Sequence, residues 1–421
     1  MTGKYHHRPM TRIERVDVEG FKAIESLAVE PSGINVITGR NNTGKTSLLE
    51  AIQLAFDPEA IKRFEDNIDQ VINREYEQAI LDIETEDKEQ KIEIQSPDRG
   101  QVREILVEGA LMSVSEFVNY LDGRHDSEIK VSDSSYNELR EIAISLLSTD
   151  FISEVSDLVI ILHFNEKVYP FIVPVENVRR FYFNVLDEAI GLLSEKNIPG
   201  VEKQLSDAIA YMITRSDSGS YDILPNFIET PPSATGTVTF VDIPDLTTQL
   251  KAKDDETAAI KIDDIEDFLT KNEILEDLRD FDLDYLVFED EDGDKYSVPY
   301  DFMGDGFKAI VGILWELLDD DLAGNVVLLE EPGTHMHPGY VRELVYFLVN
   351  LAREEDVQLF ITTHDNDFIS DFFTENLTDG EREFLQEEFT LVQMQEDAAD
   401  VMGYEEAEEQ LKELHLDLRG L

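Results

Sequence analysis

The segment that most constrains this chain is a short apolar run, a glycine loop and an amphipathic stretch in immediate succession. Ile34-Asn35-Val36-Ile37-Thr38 is rich in β-branched residues and reads as a buried strand. Gly39-Arg40-Asn41-Asn42-Thr43-Gly44-Lys45-Thr46-Ser47 follows with the spacing of a phosphate-cradling P-loop. From Ser47 to Ala55 apolar residues recur at helical spacing until Asp57-Pro58 stops them. Glycines let the backbone wrap closely around phosphate oxygens, with successive N–H groups and the positive helix end facing the anion. In that frame Lys45 reaches the β- and γ-phosphates of ATP and the Thr46 hydroxyl binds Mg2+. A glycine turn with an incidental lysine is the plainer alternative, and the flanking strand and helix argue against it.

A second stretch supplies the acids that such a loop lacks. Val326-Val327-Leu328-Leu329 reads as a strand buried in a parallel sheet, and it ends in Glu330-Glu331. Successive strand residues point to opposite faces, so the strand end must twist if both acids are to serve one ligand. Glu330 is assigned to the magnesium shell and Glu331 to the base that polarises the attacking water. A third apolar run, Val357 to Thr363, is followed by His364-Asp365, and Tyr340 to Arg353 between the two runs has helical periodicity. Strand, helix, strand implies a parallel crossover, which delivers His364 to the sheet edge that carries the acids, near the γ-phosphate.

With these segments in hand the chain resembles a known family. The head Ile13-Glu14-Arg15-Val16-Asp17-Val18-Glu19-Gly20-Phe21-Lys22, the P-loop, the stretch Val298 to Lys308, the Leu-Leu-Glu-Glu-Pro strand end and the Ile-Thr-Thr-His-Asp strand end are similar to the ABC-type ATPases of the RecF, SMC and OLD group, above all to stand-alone ATPases with an OLD-like core. The resemblance covers roughly residues 11 to 60 and 284 to 375. It implies an α/β P-loop NTPase fold of ABC type: a parallel sheet, flanking antiparallel strands and a mainly helical insertion. It also implies that Gly304, Asp305 and Gly306 stand where transporters carry a signature loop, acting on the nucleotide of a second copy, so that ATP binding makes a homodimer. Phe21 and Lys22 lie where the resemblance puts the adenine base. Two residues depart from the family pattern: Glu330 replaces its usual Asp, and Gly333 stands where an acidic residue is common. After His364 no acidic pattern of the TOPRIM nuclease type follows, so nuclease activity in this chain is not expected.

Composition bears on the setting. Acidic residues outnumber basic ones 92 to 35, for a formal charge of −57. Charge of that density, spread over the chain, repels itself unless salt shortens the Debye length to about 3 Å or less. The expected setting is the cytoplasm of a salt-accumulating halophile. An acidic disordered protein is excluded by the 42% apolar content. Arg8, Arg12, Arg15, Arg179-Arg180, Lys251 and Lys253 form no basic patch readable from sequence, so nucleic-acid binding rests on family analogy alone. The absence of cysteine excludes thiolate chemistry and disulfides. No apolar run approaches a membrane span. The pairs His6-His7 and His335-x-His337 invite a metal reading, but the second lies in a turn closed by Pro338.

The chain is read as residues 1–100, the N-terminal part of the ATPase core; 101–283, a mainly helical insertion; and 284–421, the C-terminal part of the core. Gln78 to Glu84 and Gln90 to Gln95 alternate as strands around an acidic turn. The insertion shows helices at Val114 to Leu121, Tyr136 to Leu147, Phe181 to Leu193 and Val201 to Thr214, with strands at Asp157 to Phe164 and Val168 to Val173. Ser216 to Thr237 reads as a loop, Ile265 to Asp280 as a helix, and Tyr285 to Phe288 as a strand. Phe240 to Gln249 is a weak candidate for a glutamine loop. The acidic run Glu289 to Asp294 lacks EF-hand spacing and reads as a turn. After His364, Phe389 to Met394 and Glu405 to Leu414 would add a strand and a helix.

Three functions follow: an ATP-driven dimerisation switch serving DNA repair or defence; a nucleotide-dependent subunit of a partner nuclease or effector protein; and a small-molecule kinase, which leaves the Met303 to Gly306 segment and His364 unexplained.

Overall fold

A computed structural model describes residues 12–122, 133–195, 226–232, 237–241, 258–271, 274–275, 277–290, 292–318, 322–334, 336–395 and 398–412. The strands in chain order are β1 (Ile13–Phe21), β2 (Ile24–Val29), β3 (Ile34–Gly39), β4 (Gln78–Thr85), β5 (Glu89–Gln95), β6 (Val159–Phe164), β7 (Lys167–Ile172), β8 (Val238–Val241), β9 (Leu278–Phe281), β10 (Tyr285–Glu289), β11 (Lys295–Pro299), β12 (Val326–Glu330), β13 (Gln358–Thr362), β14 (Phe389–Met394) and β15 (Ala399–Gly403). The helices are α1 (Lys45–Phe56), α2 (Arg99–Asp122), α3 (Asp133–Leu146), α4 (Thr149–Val155), α5 (Glu176–Glu195), α6 (Ala258–Lys271), α7 (Asp305–Leu317), α8 (Pro338–Glu355), α9 (Asn366–Asp371), α10 (Asp379–Glu388) and α11 (Tyr404–Lys412). The chain divides into two compact units, one of Met1–Asp57, Ile80–Lys91 and Ala234–Leu421, the other of Pro58–Ala79 and Ile92–Ser233.

In the first unit the parallel strands run β14-β3-β13-β12-β8, and β15 closes the far edge antiparallel to β14. Every residue of β3 and β13 is buried, as are the first four of β12, because helices cover both faces. Alternate strand residues, among them Ile34, Val36, Val327, Leu329, Leu359 and Ile361, join one core with Leu344, Val345 and Leu348 of α8 and with α9. The other face receives α1, which contacts β3, β8, β12 and β13. An antiparallel layer β2-β1-β4 belongs to the same unit. Gln358 fastens it: its side-chain oxygen accepts from Ile13 N at 2.8 Å, and its amide donates to the carbonyls of Ile13 and Ser32 at 3.0 and 2.9 Å. A small antiparallel sheet, β11-β10-β9, leads through a single 3-10 turn (Tyr300–Phe302) into α7. The expected β-α-β crossover is present as β12-α8-β13, with the two strands parallel.

The second unit holds α2 to α5, whose apolar faces meet around Leu106, Ala110, Phe117, Leu139, Tyr182 and Leu186. The end of β5 from Ile92 pairs antiparallel with β6, and β6 with β7. Helices expected within 114–121, 136–147 and 181–193 are there, each extended at its N-terminal end. Val201 to Thr214, and most of the loop Ser216 to Thr237, lie outside the described residues.

The stretch 101–283 expected as an insertion is divided: residues 101–233 belong to the second unit and 234–283 to the first. One local reading is corrected. Ile265 to Asp280 is not one helix: α6 ends at Lys271, and Leu278–Phe281 is a strand paired with β10. Pairing buries Leu278 and Phe281 at that edge, and the partner strand overrides the helical spacing. Beyond His364 the chain adds more than one strand and one helix. A hairpin of β14 and β15 joins the sheet with α10 and α11 beside it.

Candidate nucleotide site

The glycine loop is shaped by what lies beneath it. Gly39 has φ +143°, and a Cβ there would stand 2.4 Å from the Met394 carbonyl oxygen; Gly44 has φ +94°, and its Cβ would meet Ile24 Cγ1 at 2.8 Å. Neither conformation nor space admits a side chain. Asn42 is also left-handed, at φ +66°, and Thr43 Oγ1 ties the loop by donating to the Arg40 carbonyl at 2.9 Å. Gly44 caps α1 without a side-chain hydrogen bond, so the first N–H groups of α1 face the loop without a side-chain cap. Lys45 Nζ turns back onto the carbonyls of Gly39 and Arg40, both at 3.0 Å. Burial lowers the Lys45 pKa, against the opposing pull of the Glu331 and Glu330 carboxylates.

Sheet register brings the remaining groups to the same edge. Glu330 is level with Thr362, and Thr362 with Ile37, two residues before the end of β3. Thr46 Oγ1 donates to Glu330 Oε1 at 2.5 Å, so the longer acid that replaces the family's Asp reaches the P-loop hydroxyl directly. The twist demanded of the strand end is supplied by Glu331, which has φ +47°. Its N–H donates to the Thr362 carbonyl at 3.0 Å and to Thr362 Oγ1 at 3.2 Å. Its Oε2 accepts from His364 N at 3.1 Å and lies 2.7 Å from His364 Nδ1. The His364 side chain is 56% exposed and that of Glu331 26%, so the pair is open to solvent and to a ligand. Asp365 then caps α9, its side chain accepting from Asp367 N at 2.9 Å.

The single chain thus gathers Lys45, Thr46, Glu330, Glu331 and His364 but not the glycine segment expected to act with them. Gly304, Asp305 and Gly306 begin α7, which packs on α6 and α8. Gly304 has an extended backbone and nothing within 4 Å of where a Cβ would stand. Beside it Phe302 is 80% exposed. Phe21, expected near the base, is fully buried and presents no ring face for stacking. Lys22 has φ +52° and pairs with Glu50 at 2.5 Å. His337 caps α8, its Nδ1 accepting from Gly339 N at 3.1 Å; His335 lies outside the described residues, as do His6, His7 and 242–249 of the glutamine-loop candidate. Sequence reasoning missed Ile24 and Met394, which floor the P-loop, and Thr362, which receives Glu331. Only the threonine pair of Ile-Thr-Thr-His, polar at the end of an apolar run, signalled the last.

The residues present suit Mg2+ with a nucleotide. The Thr46 hydroxyl and Glu330 carboxylate are hard oxygen donors, and they stand at a glycine loop whose close packing on Met394 and Ile24 leaves no room for a Cβ at Gly39 or Gly44. Among the described residues no helix is long and apolar enough to cross a membrane.

Solved structures align with the chain over most of its length. An SMC head domain from Thermotoga maritima aligns with 93% of this chain and 99% of its own at 10% identity and a TM-score of 0.41. A Smc head domain with an extended coiled coil, bound to the C-terminal domain of ScpA derived from Pyrococcus furiosus, aligns with 97% of this chain and 100% of its own at 13% identity and a TM-score of 0.41. No curated protein matches the chain. The model of one family matches residues 34–371, from the P-loop strand through both acids and His364 to the end of α9, which bears out the resemblance to AAA- and ABC-type ATPases. The chain belongs to that family, described as "AAA domain, putative AbiEii toxin, Type IV TA system".

Proposed function

We propose that the chain binds ATP with Mg2+ and hydrolyses it, and that the nucleotide closes two copies into a dimer that hydrolysis reopens. The observation that carries this reading is the left-handed Glu331, whose carboxylate lies with His364 while Glu330, the residue before it, reaches Thr46. Lys45 exchanges its loop carbonyls for phosphate oxygens. Glu331 takes a proton from the attacking water, which adds to the γ-phosphorus as the bond to the β-bridging oxygen breaks, leaving ADP and phosphate. His364 holds the Glu331 carboxylate and faces the transferred group. Mg2+, held through Thr46 and Glu330, supplies charge neutralisation at the phosphate oxygens when bound. Gly304, Asp305 and Gly306 of a second copy complete the site, a role supported by the open surroundings of Gly304 and by the exposed Phe302 beside it. Of the expected insertion 101–283, the part 101–233 that lies in the second unit is what the switch moves. Service in DNA repair or defence, and any contact with nucleic acid, rest on family analogy; the charge of −57 favours the cytoplasm of a halophile.

Glu331→Gln tests this reading. ATP binding should persist, turnover should fall by about 100- to 10,000-fold, and light scattering in molar salt should show an ATP-dependent dimer. Unchanged hydrolysis would remove Glu331 as the base.

A second reading is favoured by the two donors that His364 places on one oxygen of Glu331. A base so engaged suits a regulatory subunit that turns over slowly until an effector protein rearranges the pair. Basal hydrolysis that rises only when such an effector is added would select it.

A further inference from the structure

Strand β13 is apolar through Leu359, Phe360 and Ile361, yet it runs out into two threonines with at most 1% of their surface exposed. The reaction proposed above uses neither hydroxyl. A buried hydroxyl is costly unless it is hydrogen-bonded, so where each one points is informative. Thr362 Oγ1 accepts from Glu331 N at 3.2 Å, sharing that N–H with its own carbonyl at 3.0 Å. Thr363 Oγ1 accepts from Asp365 N at 3.1 Å, while Thr363 N donates to the Ile37 carbonyl of the P-loop strand at 2.9 Å. The two hydroxyls therefore hold the chain on both sides of the acid–histidine pair. One holds the backbone of Glu331 and the other the residue that follows His364.

Glu331 needs holding. At φ +47° a glutamate occupies the left-handed region that side chains other than those of Asn and Asp disfavour, and such a conformation persists only where its surroundings over-determine it. Relaxed to an extended conformation, residue 331 would continue the alternation of β12 and its side chain would leave the edge where His364 N and Nδ1 meet it. The carbonyl of Thr362 alone is the ordinary ladder acceptor for a strand that continues straight. The hydroxyl adds a second acceptor for the same N–H, at the residue where the chain turns.

We propose that Thr362 and Thr363 are positioning residues whose hydroxyls fix the left-handed turn of Glu331 and the seat of His364. The consequence for turnover rests on the ATPase reading; the consequence for backbone geometry does not.

Thr362→Val removes the hydroxyl at constant shape within a buried strand, so the fold is retained, and Thr362→Ser restores the hydroxyl. Crystal structures of both variants and ATPase kinetics give two independent readouts. In the valine variant Glu331 should leave the left-handed region and its carboxylate should move beyond hydrogen-bonding distance of His364. Its kcat should fall by about 10- to 100-fold, the scale expected for a misplaced reacting group, with KM for ATP unchanged. The serine variant should return both properties to wild type. An unmoved Glu331 in the valine variant, or a serine variant as impaired as the valine one, overturns the proposal. A fall in kcat matched by a loss of ATP binding overturns it as well. Should the wild-type protein show no turnover, the ATPase reading fails while the crystallographic comparison still decides the role of Thr362.

Discussion

At residue scale the site depends on positions where a side chain is either impossible or held against its preference. Gly39→Ala is expected to abolish ATP binding and to cost about 1–3 kcal/mol of stability, because a Cβ there meets the Met394 carbonyl and φ is +143°. Isothermal titration and thermal melts would measure both, and a stable, binding-competent variant would contradict the geometry. Asp371 offers a pH test. Burial raises its pKa above the ordinary 3.8, more than the nearby Arg342 lowers it. Its ionised form is therefore penalised in the folded state. The penalty is full above the raised pKa, shrinks as the pH falls through it, and vanishes below about 3.8. Asp371→Asn should accordingly raise the melting temperature at neutral pH and leave it unchanged near pH 3. A stabilisation that grows on acidification would show the opposite linkage.

At the scale of elements, legibility followed burial. The strands β3, β12 and β13 were readable because a parallel sheet covered on both faces needs continuous apolar runs. Helix α1 was readable from its periodicity and its stop at Asp57-Pro58. The segment from Ile265 to Asp280 was not, because Leu278 and Phe281 become strand residues only once β10 is beside them. The start of α10 is a local device: Thr378 accepts from Glu381 N, and Glu381 accepts in return from Thr378 N and Oγ1 at 2.8 and 2.9 Å. Thr378→Ala should cost about 1 kcal/mol. Burial pushes the Glu381 pKa up, but the Thr378 and Asn350 hydrogen bonds and Arg353 outweigh it, and the pKa is lowered from 4.5. Its stabilising share is therefore present above pH 4.5 and is lost as the pH falls through the lowered value. The gap between Thr378→Ala and wild type in urea unfolding should narrow over that range.

At the scale of the whole molecule, charge sets the working conditions. With 92 acidic residues against 35 basic ones, self-repulsion is the dominant long-range force on the fold, and salt is what screens it. The melting temperature should climb steeply between about 0.1 and 3 M KCl, where the Debye length shrinks from about 10 Å to 3 Å or less. A flat profile would remove the halophilic reading. The amino-acid sequence by itself determined the P-loop, the buried strands, the acidic pair and the crossover that carries His364, because local spacing and apolar runs encode them directly. It did not determine that β14 would floor the loop through Met394, that 234–283 would join the first unit, or that Glu331 would turn left-handed to meet His364. Those outcomes depend on which strands become neighbours: the strained Glu331 meets Thr362 and His364 only because β13 lies alongside β12.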